Sequence, residues 1–236
     1  MLINKIRLLV QAFSFLILTY GGRIGINLGY ALPCFACPYV AGCGGYCFLM
    51  FLQRVGIFGI AAYDRIFTYI GLQNLLWFLI FAVSAIILSK FWCGWICPFG
   101  SLLDALSGLR KKMGIREIEF SWTGRTMIKP IKYIFLAVIL VVPLLIAFLG
   151  LSSDFYILFC KICPARPIMP IFAGDIRRFG LEYSNWSTLI ISIVSVSFAA
   201  ITIVGSFFKD RFFCMVCPML PLIHLFNNCL LYTSDA

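Results

Sequence analysis

Charge is what this 236-residue chain has least of: 12% of its residues are Asp, Glu, Lys or Arg against 62% that are hydrophobic, and its mean hydropathy is +1.01. So little polar surface cannot cover a water-soluble globule, and lipid is expected to solvate most of the chain. Histidine is nearly absent. One imidazole, His224, against eleven cysteines disfavours the mixed His and Cys ligand sets of zinc enzymes and haem proteins and favours sites built from thiolate alone. Acidic residues number nine, with few placed as a carboxylate pair for hydrolysis. No glycine-rich phosphate loop follows a strand, and no basic stripe interleaved with aromatics points to nucleic acid. The net charge of +10 is then read as a record of membrane orientation and attraction to anionic headgroups.

What the chain has is long apolar runs. A bilayer core about 30 Å thick needs roughly 20 such residues in a helix, and the runs 6–27, 72–89, 131–151 and 186–208 qualify. The first is interrupted by Gly21, Gly22 and Arg23. With no small-residue cleavage site after it, it reads as a retained anchor rather than a signal peptide. Lys90, Arg110, Lys111, Lys112, Arg116, Arg125 and Lys129 lie between runs two and three, and Lys5, Arg7, Lys209 and Arg211 flank runs one and four. The positive-inside rule places the termini and the central loop in the cytoplasm. A further apolar stretch, 48–63, carries Arg54 and is followed by Asp64 and Arg65, so an interfacial or re-entrant helix is expected there.

On this topology the cysteines form a pattern. Cys34-Phe-Ala-Cys37-Pro38 follows the first run and Cys160-Lys-Ile-Cys163-Pro164 the third, both on the outer side. Cys93-Gly-Trp-Ile-Cys97-Pro98 follows the second and Cys214-Met-Val-Cys217-Pro218 the fourth, both on the inner side. The chain therefore reads as an all-α integral membrane protein of four transmembrane helices. They form two tandem repeats of helix, Cys-Pro motif, helix, Cys-Pro motif, about 1–125 and 126–228, with short interfacial or re-entrant helices. Closely spaced Cys followed by Pro is a recurrent way to present thiolates to a [4Fe–4S] or [2Fe–2S] centre, which needs four. Each pair supplies two, so equivalent motifs of the two halves are expected to combine. Cys34, Cys37, Cys160 and Cys163 would make one site, and Cys93, Cys97, Cys214 and Cys217 the other, one per membrane face.

Proline at the first helical position costs no hydrogen bond, so a helix is expected over 98–112 with Phe99, Leu102, Leu103, Ala105, Leu106 and Leu109 as its apolar side. Its positive end would stabilise thiolate at Cys97. Pro218 should start an equivalent helix through Leu222, Leu225 and Phe226. Cys43 and Cys47 are additional ligands or non-ligands with equal weight, and Cys229 reads as a small buried hydrophobe. Phe91, Trp92, Trp95, Phe212 and Phe213 read first as an interfacial aromatic belt and second as a shield for a cluster. Lys161 and Arg166 would contact headgroups or neutralise a cluster, and His224 would be an interfacial polar residue or face a quinone.

The segment from Phe91 to Asp104, with its Cys-Gly-Trp-Ile-Cys-Pro core, resembles the signature of membrane-bound 4Fe–4S binding proteins of the quinol-dehydrogenase accessory, NapH-like polyferredoxin type. Arg211 to Pro218, followed by Leu225-Phe-Asn227, is similar to a second copy. The resemblance implies an electron-transfer subunit, rather than a stand-alone enzyme, in a prokaryotic inner membrane. It would relay electrons between the quinone pool or a cytoplasmic donor and a redox partner, such as a ferredoxin-type subunit or terminal reductase, with quinone a further cofactor. The pattern departs at Cys214 and Cys217, two residues apart rather than three, and at Phe48, where relatives have Pro. Relatives also continue into a ferredoxin module. Here residues 229–236 read as a non-native tail, leaving one membrane domain over 1–228. Two other classes fit the cysteines: a quinone-linked membrane thiol–disulfide oxidoreductase, and a zinc or copper(I) assembly or transport protein.

Overall fold

The computed structural model describes residues 2–29, 32, 36–37, 42–56, 69–88, 91–117, 122–149, 157–172, 174 and 185–227. Four long helices fall on the four apolar runs: α1 Leu2–Tyr20, α3 Tyr69–Leu88, α5 Trp122–Leu149 and α8 Trp186–Phe208. The connections carry shorter helices: α2 Phe48–Phe51, α4 Pro98–Lys112, α6 Leu158–Ile162, α7 Ala165–Phe172, α9 Phe212–Val216 and α10 Met219–Asn227. Widened helical turns at Leu52–Gly56 and Trp92–Ile96 adjoin α2 and α4. Among the described residues the β pairing is one isolated bridge between Leu32 and Cys47.

The exposure pattern inverts that of a soluble bundle. Leu8, Leu9 and Phe13 of α1, Leu72 and Ile87 of α3, and Ile190 and Ile201 of α8 point outward, while Gln11, Thr19, Ser192, Ser195, Thr202 and Ser206 are buried. Among the described residues, Gly71–Leu88 and Trp186–Phe208 are long and apolar enough to cross a membrane, which supports membrane association. Helices in lipid gain nothing from hiding leucine and approach each other through small residues instead. On α8, Ser192, Ser195, Ala199, Thr202 and Ser206 recur every three or four positions and line one buried face. The short helices α4, α6, α7 and α9 all pack against α8.

Helix α4 starts at Pro98 and ends at Lys112 as expected, but its buried face is rotated. Phe99, Leu103, Ser107 and Arg110 are buried, whereas Leu109 is exposed. Polar contacts override the apolar stripe here: the Arg110 guanidinium donates to the Phe208 carbonyl at 2.7 Å and to Asp210 at 2.7 Å. This pins α4 to the end of α8. Of the stretch 48–63 expected as an interfacial or re-entrant helix, residues 57–63 lie outside the described residues; in the described part Phe48, Leu49, Met50, Phe51 and Gln53 are buried and Phe48 stacks on Phe81 of α3.

Gly44 fixes how the loop before α2 meets α1. Its N–H donates to the Leu18 carbonyl at 3.0 Å, and a Cβ there would lie 2.3 Å from the Ile17 carbonyl oxygen. Backbone cannot yield as a side-chain tip can. Gly44→Ala is expected to cost about 1–3 kcal/mol through overpacking, seen as a lower unfolding temperature in detergent; an unchanged transition would show that loop and helix are not in contact.

Candidate functional site

Three local devices bring Cys93, Cys97, Cys214 and Cys217 together. The first is the widened turn Trp92–Ile96, which packs on α1 and α4. The second is the position of Cys97 before Pro98, in extended backbone, where its Sγ accepts the Gly100 N–H at 3.4 Å. The third is the turn Lys209–Arg211 that reverses the chain from α8 into α9. Cys217 repeats the position of Cys97 ahead of α10, with extended backbone and the Met219 N–H directed at its sulfur.

The four thiols share one electrostatic environment. Burial raises Cys93, and nearby Cys97 and Cys214 raise it further while Arg211 opposes them. Cys214 is pushed up to about 12, mainly by burial, then by Cys97, again against Arg211. Cys217 is raised by burial, then by Cys93 and Cys214. Neighbouring thiols of which Cys97 and Cys217 are buried and Cys93 and Cys214 half-buried cannot all ionise without a compensating positive charge. Part of it stands beside them: Arg211 donates to Asp104 at 2.7 Å from Nε and 2.5 Å from NH2, and to the Gly94 carbonyl at 3.1 Å.

Asp104 is the hub of that network. Burial acts to raise it, but hydrogen bonds from Arg211, Gln11 and Arg7 outweigh burial and hold its carboxyl below the usual range. Gln11 donates to Asp104 at 2.7 Å and to the Gly94 carbonyl at 3.0 Å, tying α1 to the cysteine turn. Among the described residues Arg211 is the non-glycine residue in left-handed backbone, with φ 54°. Backbone strain of this kind persists when surrounding contacts over-determine it, and here the guanidinium contacts do so. Sequence reasoning used Arg211 as an orientation marker and Asp104 as a motif residue. A lone acid and an isolated Gln within long apolar stretches were the available signals for Asp104 and Gln11.

Of the expected outer set, Cys34 lies outside the described residues. Cys37, Cys160 and Cys163 are buried, and Cys47, whose role the sequence left open, is buried with them. No disulfide joins the nine described cysteines. Cys37, Cys47, Cys97, Cys163 and Cys217 belong to one contiguous core. Gln11, beside Gly94, and Leu18, beside Gly44, are two turns apart on α1, about 10 Å. The short helices of the motifs, α4, α6, α7 and α9, dock on α8, whose buried face is made of small residues.

Of the aromatics, Phe213 is core and meets Phe99 edge-on with centroids 5.2 Å apart, whereas Phe91 is exposed and stacks on Trp95. His224 is half-buried on α10.

The donor set fits an iron–sulfur cluster. Its donors are four thiols, the ligand type that iron–sulfur centres take; among the described residues no three Cys, His, Asp or Glu side chains converge as a single metal ion would require.

The family model of a 4Fe-4S binding domain matches residues 70–116 and 191–229, segments that contain Cys93, Cys97, Cys214 and Cys217. The match supports an iron–sulfur protein family. An uncharacterized protein of Methanocaldococcus jannaschii is 23% identical over 149 residues, 63% of this chain and 52% of its own length. The chain thus spans about half the length of that curated relative. No solved structure matches.

Proposed function

We propose that the chain is an iron–sulfur electron-transfer protein of the membrane, close to the NapH-like type, and that Cys93, Cys97, Cys214 and Cys217 hold a [4Fe–4S] cluster. The observation that supports this is that two Cys-Pro motifs, one from each matched segment, lie within electrostatic reach of each other, with Cys97 and Cys217 buried. When bound, the cluster supplies reversible one-electron chemistry. The chain's own residues do the rest. Four thiolates fix the metal group, the Gly100 and Met219 N–H groups stabilise the sulfur charge of Cys97 and Cys217, and Arg211 adds a positive charge beside them. Phe99 and Phe213 exclude water.

On this reading all four long helices span a prokaryotic inner membrane with both termini in the cytoplasm. Residues 1–228 form one domain of two repeats, about 1–125 and 126–228. Electrons would pass between the quinone pool or a cytoplasmic donor and a redox partner of ferredoxin or terminal-reductase type. The small-residue face of α8 and the inverted exposure of α1, α3 and α8 support the membrane reading.

Anaerobic purification in detergent tests it. The protein is expected to be brown, with iron and acid-labile sulfide in equal amounts and an electron paramagnetic resonance signal after dithionite reduction. Zinc or copper without sulfide would replace this reading with a metal-handling one, and a metal-free protein with Cys93 linked to Cys97 would replace it with thiol–disulfide exchange.

A further inference from the structure

The matched segments contain none of Cys37, Cys47, Cys160 and Cys163, yet the fold brings the segments that carry them into contact elsewhere. The Cys47 N–H donates to the Ala36 carbonyl at 3.1 Å, which sets Cys37 alongside Cys47. The chain then enters α2 and its widened turn, from which Gln53 reaches across to α6. Its Nε2 donates to Cys160 Sγ at 3.3 Å and its Oε1 accepts the Phe159 N–H at 3.3 Å. Cys163, just past α6, lies in one buried cluster with Cys37 and Cys47 and within Coulombic reach of Cys160. None of the four is more than 8% exposed.

Cys47 matches the second cysteine of the other motifs in place and geometry. It precedes a helix in extended backbone, and the Leu49 and Met50 N–H groups point at its sulfur, as Gly100 does at Cys97 and Ala165 at Cys163. Phe48 stands where the others have proline, so the geometry does not depend on proline. Cys43 differs: burial and backbone N–H groups set its environment rather than a neighbouring thiol. Cys47 also lies within Coulombic reach of Cys97, so the two groups of thiols adjoin.

We infer that Cys37, Cys47, Cys160 and Cys163 hold a second iron–sulfur centre, next to the first in the protein interior, with Cys47 and Cys97 on the facing sides. The donor set is soft thiolate, with Gln53 as a second-layer hydrogen-bond donor. The inference rests on the first site being iron–sulfur. Exchange between the two is a one-electron step, one centre oxidised as the other is reduced, with no bond or proton to account for. Because tunnelling decays exponentially with distance, adjacency turns two isolated sites into a conducting pair.

The test uses the full chain, purified anaerobically in detergent. Wild type is expected to hold about eight iron atoms, two four-iron clusters, and to show spin–spin broadening when fully reduced. Cys47→Ser should retain about four, with the broadening gone and one simple signal left; Cys43→Ser should match wild type. About four iron atoms in wild type, unchanged by Cys47→Ser, would overturn the second centre while leaving the first intact, and no iron at all would overturn the first. Loss caused by Cys34→Ser but not by Cys47→Ser would overturn the ligand set. Eight iron atoms without broadening would overturn adjacency. Should Cys47→Ser not fold, Gln53→Leu gives a second measure: one of the two reduction potentials should fall and the other stay, and two unmoved potentials would remove Gln53 and the site built around it.

Discussion

Cys97→Ser is expected to abolish the cluster at the matched segments while leaving the protein folded. Cys97 does two jobs, and serine can keep one of them. As the residue ahead of α4 it accepts the Gly100 N–H, and a serine hydroxyl is among the best acceptors at that position. As a ligand it must provide a soft thiolate, which a hard, un-ionised hydroxyl does not replace. The expected result is loss of the corresponding resonance signal and of about four iron atoms, with an unchanged elution volume on size exclusion. Cys217→Ser should behave alike, since Cys217 holds the same position before α10. Full iron content in both variants would remove these thiols from the metal site.

Arg211→Gln has the next largest expected effect, and it separates stability from electrochemistry. Asp104 is 19% exposed and Arg211 28% by side chain, so the pair is largely withdrawn from water. Removing the cation leaves Asp104 with Arg7 and Gln11 as donors, at an expected cost of roughly 2–3 kcal/mol, less than for a fully buried pair. The same guanidinium opposes thiol desolvation at Cys93 and Cys214, so its loss should disfavour the more negative, reduced state. The potential of that centre should fall by about 40 mV for each 1 kcal/mol of interaction lost. Lys at 211 should restore most of the potential but less of the stability, because it cannot make the forked contact to Asp104. A stability loss with no change in potential would make Arg211 a purely structural residue.

Much of this was legible in the sequence because it is local. Apolar runs mark the long helices, since each run alone has the length and composition. Pro98 and Pro218 mark the starts of α4 and α10, and spacing identifies Cys93, Cys97, Cys214 and Cys217 as two halves of one set. What failed was the face of α4, where Ser107 and Arg110 bury because carbonyls and an acid at the end of α8 receive them. The placement of Cys47 ahead of α2 was hidden for a similar reason. Proline was read as the sign of a ligand, whereas the backbone N–H groups that hold a cysteine in place need no proline to do so.

The sequence by itself thus determined the long helices and the thiol chemistry of the donors and set the expectation of lipid as solvent, all of which follow from composition and short spacings. Tertiary structure decided that Arg211 and Gln11 gather on Asp104, that Gln53 reaches Cys160, and that Cys37, Cys47, Cys97, Cys163 and Cys217 share one buried core. Those outcomes depend on side chains whose contacts span 83 to 117 positions, brought together by a face of small residues on α8 whose effect is packing. No local pattern carries that information.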